Sequence, residues 1–156
     1  MSDKADVQGR GGIEIMTEDT QPAEPTSTIT VEWEDAQTRR AVCYNFRGLW
    51  AWFDFSQAST QAFRMMSEVN HRVGLILDFR YSLDMPTGAM PAIQRLLEFV
   101  PQNLDIIIVA SDDKNTQQAF VTLLKLDKSL REYFTFAKSR DEALDLLKQY
   151  QEQQVG

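Results

Sequence analysis

The chain has 156 residues, 43% hydrophobic and 25% charged, which fits one soluble globular domain with a core that needs no staples. A formal net charge of -7 disfavours nucleic acid and anionic membrane surfaces, because both require a Lys/Arg surplus. The single Cys43 rules out an internal disulfide, the longest apolar run (Ile106 to Ala110) is far short of the ~20 residues of a membrane span, and no secretory h-region follows the start, so a cytoplasmic protein is expected.

Residues 1–27 carry six acids against two bases, a net of -4, with no aromatic residue but three of the seven glycines and two of the five prolines. Such a stretch buries too little apolar area to offset its ordering entropy, and a disordered acidic tail is expected. From Thr28 the pattern changes. "TITVEWED" alternates Ile29, Val31 and Trp33 with polar neighbours, the period-2 mark of a strand with one buried face. "RRAVCYNF" is a second strand, joined to the first as a hairpin.

"WAWFDFSQASTQAFRMMSEVN" then switches to helical period, with Phe55, Ala58, Ala62, Met65 or Met66, and Val69 on one stripe and Asp54 with Gln57 as a capping pair. "VGLILDF" and "LDIIIVA" are almost wholly apolar, as parallel strands buried on both faces must be. Between them a helix after Thr87 aligns Ile93, Leu96, Leu97 and Val100. Asp113 caps a helix bearing Phe120, Leu123 and Leu124. "YFTFA" is a last short strand, and Ser139 with Glu142 forms a capping box for a final helix that turns Ala143, Leu147 and Tyr150 inward.

The order β-β-α-β-α-β-α-β-α specifies a mostly parallel sheet with an antiparallel N-terminal hairpin, over residues 28–150, with 151–156 a flexible C-terminus. The uncovered edge hairpin, Thr28 to Phe46, invites pairing with a second copy, so a homodimer is an open expectation.

This order, together with "FRGLWAWFDFSQA", "VGLILDFR", "MPTGAM", "VPQNLDIIIVAS" and "SRDEALDLL", resembles the STAS/SEC14-like superfamily, and within it the anti-sigma-factor antagonists (SpoIIAA-like) and small uncharacterised bacterial members. The antagonists carry an Asp-Ser-Ser-Gly-like turn whose second Ser is phosphorylated by a kinase that is also the binding partner. On this chain Gly88 matches the Gly, Thr87 the phosphoacceptor, Pro86 the preceding Ser and Met85 the Asp, with Asp84 displaced by one. The resemblance therefore implies Thr87 as candidate phosphoacceptor, although its hydroxyl equally serves as a plain helix cap.

Two further readings concern the same end of the sheet. Asp78, at the end of a buried strand and near Asp84, Asp112 and Asp113, resembles the phosphoacceptor of a response-regulator receiver, with Glu34–Asp35 as its acidic pair and Lys138 as its late Lys; the plainer reading pairs Asp78 with Arg80. Trp50, Trp52, Phe53 and Phe55 fall within six residues. They form either core plus lid, or a patch for a protein partner or for a lipid-like ligand of the kind SEC14-like relatives bind.

His71 reads as a turn residue and Cys43 as a buried small hydrophobe. No nucleophilic triad, glycine-rich phosphate loop or Cys/His metal set can be assembled. A non-enzymatic regulatory or interaction module without a cofactor is the leading expectation. Its candidate surface comprises Trp50, Trp52, Phe53, Phe55, Asp78, Arg80, Asp84 and Gly88, and its alternatives are hydrophobic-ligand binding and a receiver-like domain.

Overall fold

A computed structural model describes residues 28–82, 86 and 88–155. The acidic stretch 1–27, Asp84 and Thr87 lie outside the described residues, so the expectations placed on them are not addressed by the fold.

The sheet has five strands in sequential order: β1 (Ile29–Trp33), β2 (Ala41–Gly48), β3 (Val73–Ser82), β4 (Leu104–Ala110) and β5 (Phe134–Ala137). β1 runs antiparallel to β2, and every later pairing is parallel. The helices are α1 (Trp52–Ser67), α2 (Ala89–Leu96), α3 (Lys114–Leu126) and α4 (Arg140–Val155). Three crossovers that all step the same way along a sheet, each right-handed, must put their helices on one face. The packing agrees. Phe55, Ala58, Ala62 and Met66 of α1, Ile93 of α2, and Phe120 and Leu123 of α3 share one core with Val42, Tyr44, Phe46, Leu75, Leu77, Ile107 and Val109.

The opposite face is covered by α4 alone. Ala143 and Leu147 meet Ala41, Cys43, Ile76, Ile106, Ile108 and Ala110, a set of mostly small or branched side chains that lets the helix lie close. Gly74 marks the closest approach, since a Cβ there would stand 2.7 Å from Leu147 Cδ1.

The expected order of elements holds, with local differences. α1 begins at Trp52 with Ala51 as its cap residue, so Asp54 lies in the first turn and accepts from the Ala51 N–H at 2.9 Å rather than pairing with Gln57. Asp113 caps α3 by accepting from Thr116 N at 2.8 Å. Ser139 accepts from Glu142 N, but the Glu142 carboxylate reaches one residue further back than a standard box, to Lys138 N. α4 does not stop at residue 150. It runs to Val155, helped by Gln151 Nε2 donating to the Arg40 carbonyl at 3.2 Å, so 151–155 are helical rather than a flexible end.

Candidate functional site

On the α4 face, the small-residue floor gives way to polar side chains toward the carboxyl ends of β2 and β3. Asn45 and Asp78 are partners across the parallel ladder, and just beyond them the register shifts between Asn45 and Arg47. A bulge of this kind re-aims side chains and loosens the ladder. Here the Arg80 N–H turns to Asp78 Oδ1 at 3.1 Å, while the Arg80 guanidinium grips both carboxylate oxygens, Nε to Oδ1 and Nη2 to Oδ2, each at 2.9 Å.

Arg140, the first residue of α4, completes the group. Its Nη1 donates to Asn45 Oδ1 at 2.8 Å and stands 3.5 Å from Asp78 Oδ2, and its Nη2 lies 3.5 Å from Glu32 Oε2. Asn45 Nδ2 in turn reaches Glu32 Oε2 at 3.2 Å and Thr30 Oγ1 at 3.3 Å. A cation at a helix N-terminus opposes the helix dipole, so Arg140 owes its place to these acceptors rather than to α4.

Asp78 is only 2% exposed. Burial raises its pKa more than any other single influence, but the side-chain and backbone hydrogen bonds from Arg80 and the charges of Arg80 and Arg140 together outweigh it and hold the carboxyl below its ordinary value. Cys43, on the same face, has its thiol pushed up to about 12 by burial, which Arg140 only partly counters. It is an inert core residue.

The opposite face of the same sheet end is aromatic. The Phe46 and Phe79 rings stack at 4.1 Å between centroids, Trp50 tilts against Phe46 at 4.8 Å, and Trp52 meets Trp50 edge-on at 5.4 Å. Trp50 Nε1 donates to Ser82 Oγ at 2.9 Å, tying the β2–α1 connection to the end of β3. The Trp50–Phe55 run thus divides: Trp50 and Phe55 are core, Trp52 is half-buried, and only Phe53 is well exposed, at 69%. A patch of all four is excluded because the first turn of α1 points its side chains around the helix, two of them into the sheet.

Two residues that the aromatic count passes over join Phe53 at this end. Leu49 is 70% exposed just after Gly48, and Tyr81, 62% exposed, pairs in register with Arg47. Gly48 makes the sharp exit from β2 with φ +60°, a conformation an L side chain rarely adopts. Leu49 is legible in hindsight, since a leucine directly after a turn glycine and before a tryptophan run has no helix or strand face to bury it. Of the remaining candidates, Arg80 is half-buried, Asp78 is buried and so no surface residue, and Gly88 is exposed with φ +83° ahead of α2.

Two alternatives lose their geometry. A receiver has the sheet order 2-1-3-4-5 with helices on both faces, whereas this sheet is sequential, with no point where the strand order reverses. Glu34–Asp35 follow β1, whose end faces the start of β2, and so lie at the far end of the sheet from Asp78, whose oxygens are held by Arg80. A lipid-like ligand between the aromatic segment and the sheet would need that space to open. The void lined there by Tyr44, Phe55, Phe63, Ile93 and Phe134 is about 10 Å³, about the room of one water.

A larger, open groove of about 560 Å³ lies at the other end of the sheet, among Arg40, His71, Arg72, Asp105 and Gln151, where Arg72 pairs with the buried Asp105 at 3.2 Å. Phe99, Leu126 and Tyr133 are further exposed apolar residues, placed after α2, at the end of α3 and before β5.

The architecture is a mixed α/β domain, a sequential sheet with an antiparallel first strand, three helices on one face and one on the other. In agreement, the chain superposes on the crystal structure of an uncharacterised protein of the DUF3478 family from Shewanella loihica PV-4, described as having a SpoIIAA-like fold, with a TM-score of 0.59 and 13% identity over 80% of this chain and 98% of that one. The fold is SpoIIAA-like. No family model matches the sequence, and no curated protein matches it. No helix among the described residues is long and apolar enough to cross a membrane.

Proposed function

We propose that the chain is a non-enzymatic protein-interaction module that docks a partner at the carboxyl end of its sheet. The observation carrying this reading is that Leu49, Phe53 and Tyr81, all exposed, lie around the carboxyl end of the sheet, the end that the packed rings of Trp50, Phe55 and Phe79 make rigid. Interface energy concentrates where apolar and aromatic side chains stand on a pre-ordered support, because little side-chain entropy is then lost on binding. The Asp78–Arg80–Arg140 group, centred on the buried Asp78 carboxylate, serves as a brace on this reading, holding the strand ends and the start of α4 in one geometry. Regulation through such docking is the class of role a SpoIIAA-like fold supports by analogy.

The test is a crosslinking pull-down from native cells with the full chain, comparing wild type, Leu49→Ser/Phe53→Ser and a Leu126→Ser control from the opposite end. A partner held by wild type and the control but weakened about 30-fold or more by the double variant is expected. Equal capture by all three sinks the proposal, as does substrate turnover by the purified protein that Asp78→Asn abolishes.

A further inference from the structure

We infer that the open groove at the amino end of the sheet binds a small peptide-like zwitterion, a ligand with one free ammonium and one free carboxylate. The site lies at the opposite end of the sheet from the docking end and goes beyond that reading. The first observation is how the floor of the groove is built. Val73 pairs with Leu104 but Leu75 with Ile107, so Asp105 and Ile106 together stand opposite Gly74. A bulge of this kind re-aims a side chain, and here it leaves a carboxylate only 3% exposed in the lining of the groove. Arg72 Nε donates to Asp105 Oδ1 at 3.2 Å, and Arg72 Nη2 to the Leu104 carbonyl at 3.1 Å. Asp105 Oδ2 receives no hydrogen bond among the described residues and is not sealed from solvent, so its open side is toward the groove that Asp105 lines. A buried carboxylate with one oxygen unused calls for a donor.

The second observation is the wall. Gln151 Nε2, near the end of α4, donates to the Arg40 carbonyl at 3.2 Å, and the Gly74 N–H donates to the same carbonyl at 2.9 Å. These two bonds pin the Arg40 backbone beside the groove. Its exposed guanidinium has no partner among the described residues and is free to meet an anionic group. Gln151 Oε1 is a second acceptor without a donor. Turning the amide round does not mend this, because it would set the oxygen against the Arg40 carbonyl.

The third is charge and size. Arg40 and Arg72 line the groove with Asp105 and Glu152, so its charges cancel, on a chain whose net charge is -7. A lone anion would meet the two carboxylates there, and a lone cation the two guanidinium groups. A ligand carrying both charges gives each its complement: the ammonium completes Asp105 Oδ2, and the carboxylate takes the Arg40 guanidinium. The volume of about 560 Å³ is within the range of small-molecule sites. Because the groove is open and its cationic arm exposed, an affinity of about millimolar is expected.

Titration of the full chain with glycylglycine tests this, read at the backbone amides of His71, Arg72, Asp105 and Gln151, with Leu49 and Phe53 as far-end controls. N-acetylglycylglycine lacks the ammonium, glycylglycinamide lacks the carboxylate, and inorganic phosphate is an anion alone. Saturable shifts at the groove amides are expected, weakened about tenfold or more by either cap and by Arg40→Gln, which alters an exposed side chain without a partner. In Asp105→Asn the advantage of glycylglycine over its N-acetyl form is expected to vanish. Should that variant fail to fold, the capped probes and Arg40→Gln decide alone. No saturable shift up to about 50 mM overturns the inference. So does equal binding of the capped forms, or phosphate binding as tightly as glycylglycine.

Discussion

Arg140 donates to Asn45 Oδ1 at 2.8 Å across 95 residues of chain, and the same guanidinium stands 3.5 Å from the buried Asp78 carboxylate. This contact joins the last helix to the second and third strands on the face that α4 covers alone. The network is closed by Arg80, whose two-point grip on Asp78 satisfies a carboxylate that burial would otherwise make costly. Removing Asp78 leaves the half-buried Arg80 and Arg140 without their shared acceptor, so Asp78→Ala is expected to cost about 3 kcal/mol in chemical denaturation. A cost below about 1 kcal/mol would show the network to be an ornament of the sheet end.

The same network sets an acid limit. Because the Asp78 carboxyl titrates lower in the folded state than in the unfolded chain, its contribution is fully present above the unfolded value of about 4 and is lost as pH falls through the lowered folded value. Asp78→Asn cannot titrate. The stability gap between wild type and Asp78→Asn is therefore expected to be widest near neutral pH and to shrink below about pH 4. Denaturation midpoints across an acid series check this, and a gap that stays constant or widens toward acid contradicts it.

Gly74 tests how closely α4 must approach. A Cβ at this position meets Leu147 Cδ1 at 2.7 Å and both Cγ2 and the carbonyl oxygen of Ile106 at 3.4 Å. The leucine tip can yield to one carbon but not to three, so Gly74→Val is expected to destabilise by about 1–3 kcal/mol. Combining it with Leu147→Ala should recover part of that loss, a coupling of about 0.5 kcal/mol or more. Strict additivity of the two single changes would place the strain elsewhere.

The aromatic run predicts opposite outcomes for near neighbours. Trp50 is buried against Phe46 and Phe79 and hydrogen-bonded to Ser82, so Trp50→Ala is expected to cost about 3–5 kcal/mol. Phe53, three residues on and exposed, should tolerate Ser within about 0.5 kcal/mol. Thermal unfolding of the two variants side by side reads the difference. Similar losses in both would mean that Phe53 is covered in solution.

Much of this fold was legible because its elements announce themselves by period. "LDIIIVA" and "VGLILDF" are too apolar to face water on either side, and Phe55, Ala58 and Ala62 fall on one helical stripe, although only the packing shows that Met66 rather than Met65 is its fully buried continuation. Caps that depend on one side chain and one near N–H, such as Asp113, were equally readable. The site was less so. Asp78 and Arg80 are near in sequence, but nothing local brings in Asn45 or Arg140, which meet them only through strand register and the return of α4. Nor does aromatic density tell inward from outward: Trp50 and Phe53 differ by a turn of backbone, and that turn depends on the φ of Gly48. The other exposed apolar residues at this end of the sheet, Leu49 and Tyr81, are ordinary residues until the strand ends are aligned.

Cys43 offers a direct readout of how tightly the α4 face stays closed. Its side chain is buried between Ala41 and Ile76 on that face, and its thiol, raised to about 12 chiefly by burial, has almost no thiolate at mildly alkaline pH. A thiol reagent should therefore label the native chain only through opening events that lift α4 from the sheet, and label it at once in denaturant. Arg140→Ala removes the clamp at the start of α4 and is expected to speed native-state labelling about tenfold or more, for a loss of about 1.4 kcal/mol in the opening free energy. Mass-spectrometric labelling kinetics measure both. Rapid labelling of wild type would mean that α4 does not seal this face, and unchanged kinetics in Arg140→Ala would mean that the helix is held by Ala143 and Leu147 alone.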